Sequence, residues 1–270
     1  MGACKDPALT YLNSDGYNVV RLPRVGIEPL DVLGRDGKSL EKLGSITEVW
    51  TSSVAPPQPG APQPAANING KKTQSLDLGI GLQLLSNALS GMGAALGLPS
   101  LQVSYQKARA VEFEFVNVVS VGVTPFGLGK FLAKGTLDLS NPAADHYFGN
   151  EETNEYIIVE VLKSDTVSVT ARGESGAEVK LDIPAIQNLV GANIKVKAGA
   201  TSAGQVIYQG PSALTFGFKV FEVLFDNGKW RMQGTQASAD LAFAATAGGE
   251  EGEVAAHPVL LAPAGMIRLR

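Results

Sequence analysis

The sequence predicts an α+β protein: a central twisted sheet, mixed or antiparallel, with a few helices at its periphery. Three observations point there. Apolar and polar residues alternate in several stretches between positions 101 and 233, Asn227-Gly228 stands between two of them as a tight turn, and one long stretch near 80–92 keeps a helical period. Hydrophobic residues make up 44% of the 270, enough to fill a core, so the chain is not disordered.

The elements follow in order. Leu78, Leu82, Leu85 and Leu89 recur at helical spacing, and Gly91 and Gly93 end the pattern. The surrounding residues 78–106 carry no charge and are long enough to span a bilayer, but five glycines with Gln83, Ser86, Asn87 and Ser90 favour an amphipathic helix packed on a core. In 101–115, Leu101, Val103, Tyr105, Val111, Phe113 and Phe115 alternate with polar residues. The pattern predicts one half-buried strand whose inner row Lys107 and Arg109 interrupt. Residues 117–123 read as a strand covered on both faces. Two strands, 156–162 and 166–170, flank Lys163-Ser164-Asp165, and 178–183 reads as another. Pro184 suits the first position of a short helix over 185–190 that Gly191 ends. Short strands are expected at 194–197 and 205–209. The 221–233 hairpin pairs Phe225 with Trp230 and Val223 with Met232. Leu214, Phe216, Phe218 and Val220 lie on the opposite parity, which predicts a bulge or bend near Phe221.

Two segments are not regular. Residues 55–64 (APPQPGAPQP) form an exposed loop or a flexible crossing between strands. Residues 237–253 have linker composition, and the apolar tail behind them is expected to dock on something. The chain thus divides into a body, 1–240, and a linker with terminal peptide, 241–270.

Catalytic chemistry finds little support. His146 lies in a loop-like NPAADHYFGN stretch and His257 in the tail, neither with metal-ligand spacing. Gly91–Gly97 resembles a dinucleotide pattern but follows a helix rather than a strand. Glu112 and Glu114 read as a solvated strand face. With a net charge of -4, no basic field is available for nucleic acid, and no cofactor or metal is expected. The N-terminus has no apolar signal region, since Lys5, Asp6 and Asn13 interrupt it, which predicts a chain kept in the cytosol. Cys4 is the one cysteine. It is either an incidental exposed thiol or the carrier of an acyl chain, and a lone acyl group needs a second membrane device in the same chain.

The run MGACKDPALTYLNSDGYNVVRLPRVGIEPLDVLG, with Cys4, Tyr11-Leu12, Gly16-Tyr17 and Val20-Arg21-Leu22-Pro23, resembles the start of bacterial gasdermins. The resemblance implies a gasdermin N-terminal-domain-like body with a short C-terminal inhibitory peptide. It implies S-palmitoylation of Cys4, an inactive cytosolic monomer, and activation by a caspase-like protease that cuts near the C-terminus. It further implies a homo-oligomeric β-barrel pore among the lipids of the bacterial inner membrane, killing the cell in antiphage defence. No catalytic residue is implied. Two other readings of the residues stay open: an S-acylated β-rich binding or scaffold module whose tail engages a partner, and a lipid-binding or hydrolytic enzyme of unrecognised type.

The sequence permits the first mechanism. In the tail, Val259, Leu260, Leu261, Met266, Ile267 and Leu269 each gain roughly 1.5–3 kcal/mol on burial, while ordering costs on the order of 1.5 kcal/mol per residue. The two nearly cancel, so the peptide is expected to stay bound while tethered and to leave once cut. Cleavage is expected in or beside Ala247, Gly248, Gly249, Glu250, Glu251, Gly252 and Glu253. Residues 241–270 carry three acids and two arginines, a net of -1, so inhibition is expected to be steric. Spanning strands are expected from 49–70 with 101–121, and from 156–170 with 177–197.

Overall fold

The computed structural model describes residues 12, 15–36, 39–73, 75–149, 153–199, 204–226 and 229–234. In chain order, the first strands are β1 (Asn18–Arg24), β2 (Asp31–Asp36) and β3 (Ser39–Ser45), followed by a 3-10 turn (Ile46–Glu48). Next come β4 (Trp50–Ser52), β5 (Gln63–Pro64), β6 (Leu76–Asp77), α1 (Leu78–Gly91) and α2 (Leu98–Ser104). The middle of the chain forms β7 (Ala110–Val116), β8 (Val119–Gly122), α3 (Pro125–Ala133), β9 (Gly135–Leu137) and α4 (Pro142–Phe148). The last elements are β10 (Thr153–Arg172), α5 (Ile183–Val190), β11 (Lys195–Ala198), β12 (Gln205–Asp226) and β13 (Lys229–Gly234).

Two strands of 20 and 22 residues, β10 and β12, pair antiparallel and form the spine of an eleven-stranded sheet. Short strands line each flank. Along β10 lie β2, β8 and β7; along β12 lie β13, β1 and β11. Every pairing is antiparallel, which settles the expected sheet as an antiparallel one. β4 and β9 form a separate pair.

Helices cover the sheet in two places. α1, α2 and α5 lay Leu82, Leu85, Leu89, Leu101, Tyr105, Ile186 and Val190 over one end. At the other end, Leu128, Phe131 and Leu132 of α3 pack with Trp50, Ile157, Val159 and Val223. The expected helix near 80–92 is α1, capped by the Asp77 carboxylate accepting from the Gly79 amide at 2.8 Å. α5 also forms as read, with Pro184 in its first turn and Gly191 ending it at φ +84°.

Several expectations are corrected. Residues 101–115 are not one strand. α2 occupies the first part, because Leu98, Leu101 and Tyr105 stand three and four apart and meet the core together, whereas Val103, placed inside by alternation, is 68% exposed. Residues 117–123 are not covered on both faces, since all four residues of β8 are half-buried. The two strands about Lys163-Ser164-Asp165 are one. The ladder slips between Ser164 and Thr166, where the Ser164 hydroxyl accepts from the Thr166 amide at 3.0 Å and donates to the Val116 carbonyl. Residues 178–183 make a single bridge, Arg172 to Glu178, before Asp182 caps α5. NPAADHYFGN is largely helical: Asn141 caps α4 and His146 lies exposed on it.

The 221–233 hairpin holds the expected pairs, Phe225 with Trp230 and Val223 with Met232. The irregularity expected near Phe221 falls on the partner strand, where Val159 is the extra residue opposite Lys219 and Val220. The change of parity marks a second apolar layer: Val220 joins one cluster and Val223 another on the opposite face.

Gly91 ends α1 directly on the backbone of β1, where a Cβ would lie 2.2 Å from the Pro23 carbonyl oxygen. In an open helix, alanine would gain about 1 kcal/mol over glycine. Here Gly91→Ala is expected to destabilise the fold by about 1–3 kcal/mol, read as a lower urea midpoint.

Candidate functional site: a two-faced group of strands

At the α1 end of the sheet, β7, β10, β12 and β11 lie side by side with their pleats in phase. Phe115, Val167, Tyr208 and Val196 form one row across the four strands; Phe113, Val169, Val206 and Ala198 form the next. These rows face α1, α2 and α5. Tyr105 and Tyr208, both fully buried, join hydroxyls at 2.7 Å inside this layer. The intervening residues point the other way. Glu114, Ser168, Ile207 and Lys197 make one row of that face, and Glu112, Thr170 and Gln205 the next.

The open face is polar and cross-linked. Arg172 grips Glu112 through Nε (3.1 Å) and Nη2 (2.9 Å), a two-pronged contact between β10 and β7, and its Nη1 lies 3.5 Å from Glu178. Gln205 Nε2 donates to Ser168 Oγ at 2.7 Å. Small hydroxyl residues of β10 thus lie buried among the longer side chains of its neighbours. The same strands offer an apolar face beneath helices and a hydrogen-bonding face toward water, with period two.

The outer edge of β7 and β8 is closed by the chain before α1. Gly60 N donates to Gly122 O (2.9 Å), Ala65 N to Val118 O (3.0 Å) and Gly70 N to Phe115 O (3.0 Å). Gln63 pairs with Ser120, Lys72 with Glu114, and Leu76 with Val111. Residues 60–77 therefore run antiparallel along 110–122. In contrast, 177–197 does not pair along 156–170. β12 lies between β10 and β11, and part of that stretch is α5.

The N-terminal run is anchored to the middle of the spine. Val20 is buried in the core and β1 pairs with β12. Tyr17 donates its hydroxyl to Glu160, and Lys219 Nζ lies 4.0 Å from the Tyr17 ring centre and 3.9 Å from Glu160. Burial, and then the Glu160 carboxylate, push the Tyr17 phenol well above its ordinary range. Cys4, the linker residues Ala247 to Glu253, and the tail residues Val259, Leu260, Leu261, Met266, Ile267 and Leu269 all lie outside the described residues.

One charged group deep in the sheet was not singled out by the sequence. Glu155, on β10, stands opposite Gly34 of β2 and Val223 of β12 and is only 7% exposed. Its signal was an acid inside an otherwise apolar strand, Glu155 ahead of Tyr156-Ile157-Ile158-Val159. Glu222, also buried, accepts from Asn154 Nδ2 at 3.0 Å. Burial pushes the Glu155 carboxyl up to about 7; the Thr153 hydrogen bond opposes this and the charge of Glu222 adds to it.

The chain matches the model of the Bacterial Gasdermin Family over residues 20–231. It is 40% identical to a gasdermin of Vitiosangium sp., an alignment covering 100% of this chain and 99% of that one. It is 38% identical to a gasdermin of a Desulfuromonadales bacterium, covering 84% and 85% of the two chains. The solved structure of a bacterial gasdermin from Bradyrhizobium tropiciagri superposes with a TM-score of 0.63 at 20% identity, covering 84% of this chain and 90% of that chain. The chain belongs to the bacterial gasdermin family, a family of pore-forming proteins.

Folded Glu155 keeps a proton up to about pH 7 that the unfolded chain gives up near its ordinary value of 4.5. Between these values the native state binds more protons, so this residue's contribution to stability falls as pH rises. Glu155→Gln is expected to remove that slope. It should stabilise the fold at pH 8 by on the order of 3 kcal/mol and have little effect below pH 4.5, as followed by denaturation midpoints across pH.

Proposed function

We propose that this gasdermin is a latent pore-forming protein. Its C-terminal peptide holds a cytosolic monomer inactive. A caspase-like partner protease cuts in or beside the Ala247–Glu253 linker, and the freed bodies assemble into a large β-barrel in the bacterial inner membrane, killing the cell as a defence against phage. The observation that supports this best is the two-faced group β7, β10, β12 and β11. A barrel strand in lipid needs one apolar and one polar face over about 9–11 residues; these strands carry that alternation over four residues of β11 and seven of β7, a start that lengthening extends.

The route follows from the backbone. Lipid offers no hydrogen bonds, so every strand edge must be closed by another strand, and one chain of this size cannot close a wide ring. Copies of the chain supply the missing edges. Residues 60–77 and 110–122 already run antiparallel and form the first spanning pair by lengthening. For the second pair, 156–170 and 177–197, α5 unwinds and the helices leave the apolar rows, which then face lipid. No helix among the described residues is long and apolar enough to cross a membrane, so strands are the spanning elements of this mechanism. No residue acts as a catalyst. Acylated Cys4 adds about 0.8 kcal/mol of membrane affinity per buried methylene and helps the freed body insert.

Truncation after Gly249 is expected to make the protein release dye from loaded anionic liposomes, while the full chain releases none. Leakage from neither form would leave a β-rich, acyl-anchored module whose tail binds a partner. Cys4→Ala is expected to lower the toxicity of the truncated form in cells without shifting the melting temperature of the full chain; undiminished killing would remove acylation from the mechanism.

A further inference from the structure

Besides the helical 78–104, the stretches 49–70 and 115–129 contain no ionisable side chain. The fold lays them against each other. β5 pairs with β8, Gly60 bonds to Gly122, and α3 starts so near Pro57 that a Cβ at Gly127 would lie 3.2 Å from its Cβ. The strip they form carries no ionisable residue of its own, and α3 stands at its border; acids reach its far end, where Asp15 accepts from Asn67 and the Glu114 carboxylate lies beside Gly70. Thr124 caps the helix and Leu128, Phe131 and Leu132 fix its inner side in the core. On the outer side, Phe126 is 93% exposed, the most exposed large hydrophobic side chain among the described residues. Lys130 follows one turn later on the same side, and Lys134 ends the helix; both are exposed. The register sets Glu160 opposite Gly122, but that carboxylate accepts from the Tyr17 hydroxyl and lies near Lys219.

An aromatic ring projecting at the border of that strip, with two ammonium groups behind it, is complementary to a bilayer whose headgroups are anionic. The ring enters the interface and the lysines meet phosphates. The net charge of -4 opposes general adsorption, but screening over about 10 Å leaves this local arrangement to decide. We propose that Phe126, Lys130 and Lys134 form the surface by which the freed body, still folded, first touches an anionic bilayer. The inference deepens the pore-forming reading and rests on it, and it assigns membrane contact to a part of the molecule other than the strands that span.

The test is flotation of the full-length chain, folded and then cut at a protease site placed within 247–253, with vesicles of phosphatidylcholine alone and of phosphatidylcholine with phosphatidylglycerol. Binding is expected to the second and to weaken with added salt. Lys130→Gln and Lys134→Gln are each expected to reduce it about fivefold, and Phe126→Ser about tenfold. Ile80→Ser, which removes an exposed side chain from α1, should leave binding unchanged. Undiminished binding by Phe126→Ser, equal loss in Ile80→Ser, or no preference for the anionic vesicles would overturn the proposal. Melting curves of each variant separate misfolding from lost contact. Dye release by the Gly249-truncated chain is read separately. Release that does not depend on Phe126 defeats this contact and leaves the pore standing, whereas Phe126-dependent flotation without any release defeats the pore and supports the contact.

Discussion

The antiparallel ladder between β10 and β12 is the constraint on which the rest of this molecule depends. All six flanking strands hang from one or other of these two. Each closes a short length of spine edge, and none of those lengths is continuous with the next. A backbone ladder this long has no side-chain specificity of its own, so its register must be fixed by burial. At 156–159 both faces of β10 are buried. At 166–172 only the odd residues enter the helix-covered layer. Three slips, at Val159, between Leu162 and Lys163, and about Asp165, where 210–213 of β12 leave the β10 ladder, let the strand bend between these two environments and resume its pairing.

The two ends of the sheet are built differently. Beneath α3, apolar side chains occupy both faces, and Glu155 and Glu222 are carboxylates accommodated inside the sheet. Beneath α1, α2 and α5 only one face is apolar, and the other carries Glu112, Thr170, Arg172 and Gln205. The helices there shelter rows that would otherwise be exposed, and the pairings among β7, β10, β12 and β11 do not run through them. This division between a core buried on both faces and a sheet face covered by helices is the feature on which the proposed membrane assembly rests, because a period-two pattern suits water on one side and an apolar partner on the other.

The sheet edges are managed in keeping with that division. Along β7 and β8 the edge is closed by 60–77, a stretch whose prolines withhold donors and whose contacts are few and spaced. On the other flank β11 presents Lys195 and Lys197, both exposed, on a four-residue strand. Short strands, prolines and lysines are the usual means by which a sheet avoids joining to another copy of itself. Each of these closures is weak compared with the spine.

Much of this was legible in the sequence because it is local. The spacing of Leu78, Leu82, Leu85 and Leu89 made a helix, Gly191 ended another, and Asn227-Gly228 placed a hairpin with its pairs in register, since each depends on residues within a turn or two. The N-terminal run named the family. What the sequence misplaced depended on distant partners. Leu101, Val103 and Tyr105 satisfy alternation as well as helical spacing, and only the core over β7 selects the helix. Lys163-Ser164-Asp165 resembles a turn, yet Val116 and the β12 ladder carry the strand through it. Composition and periodicity thus determined the α+β class and its apolar rows. The tertiary structure alone decided which rows share a face, which edges are closed and where Phe126 is left exposed, because those depend on contacts between residues far apart in the chain.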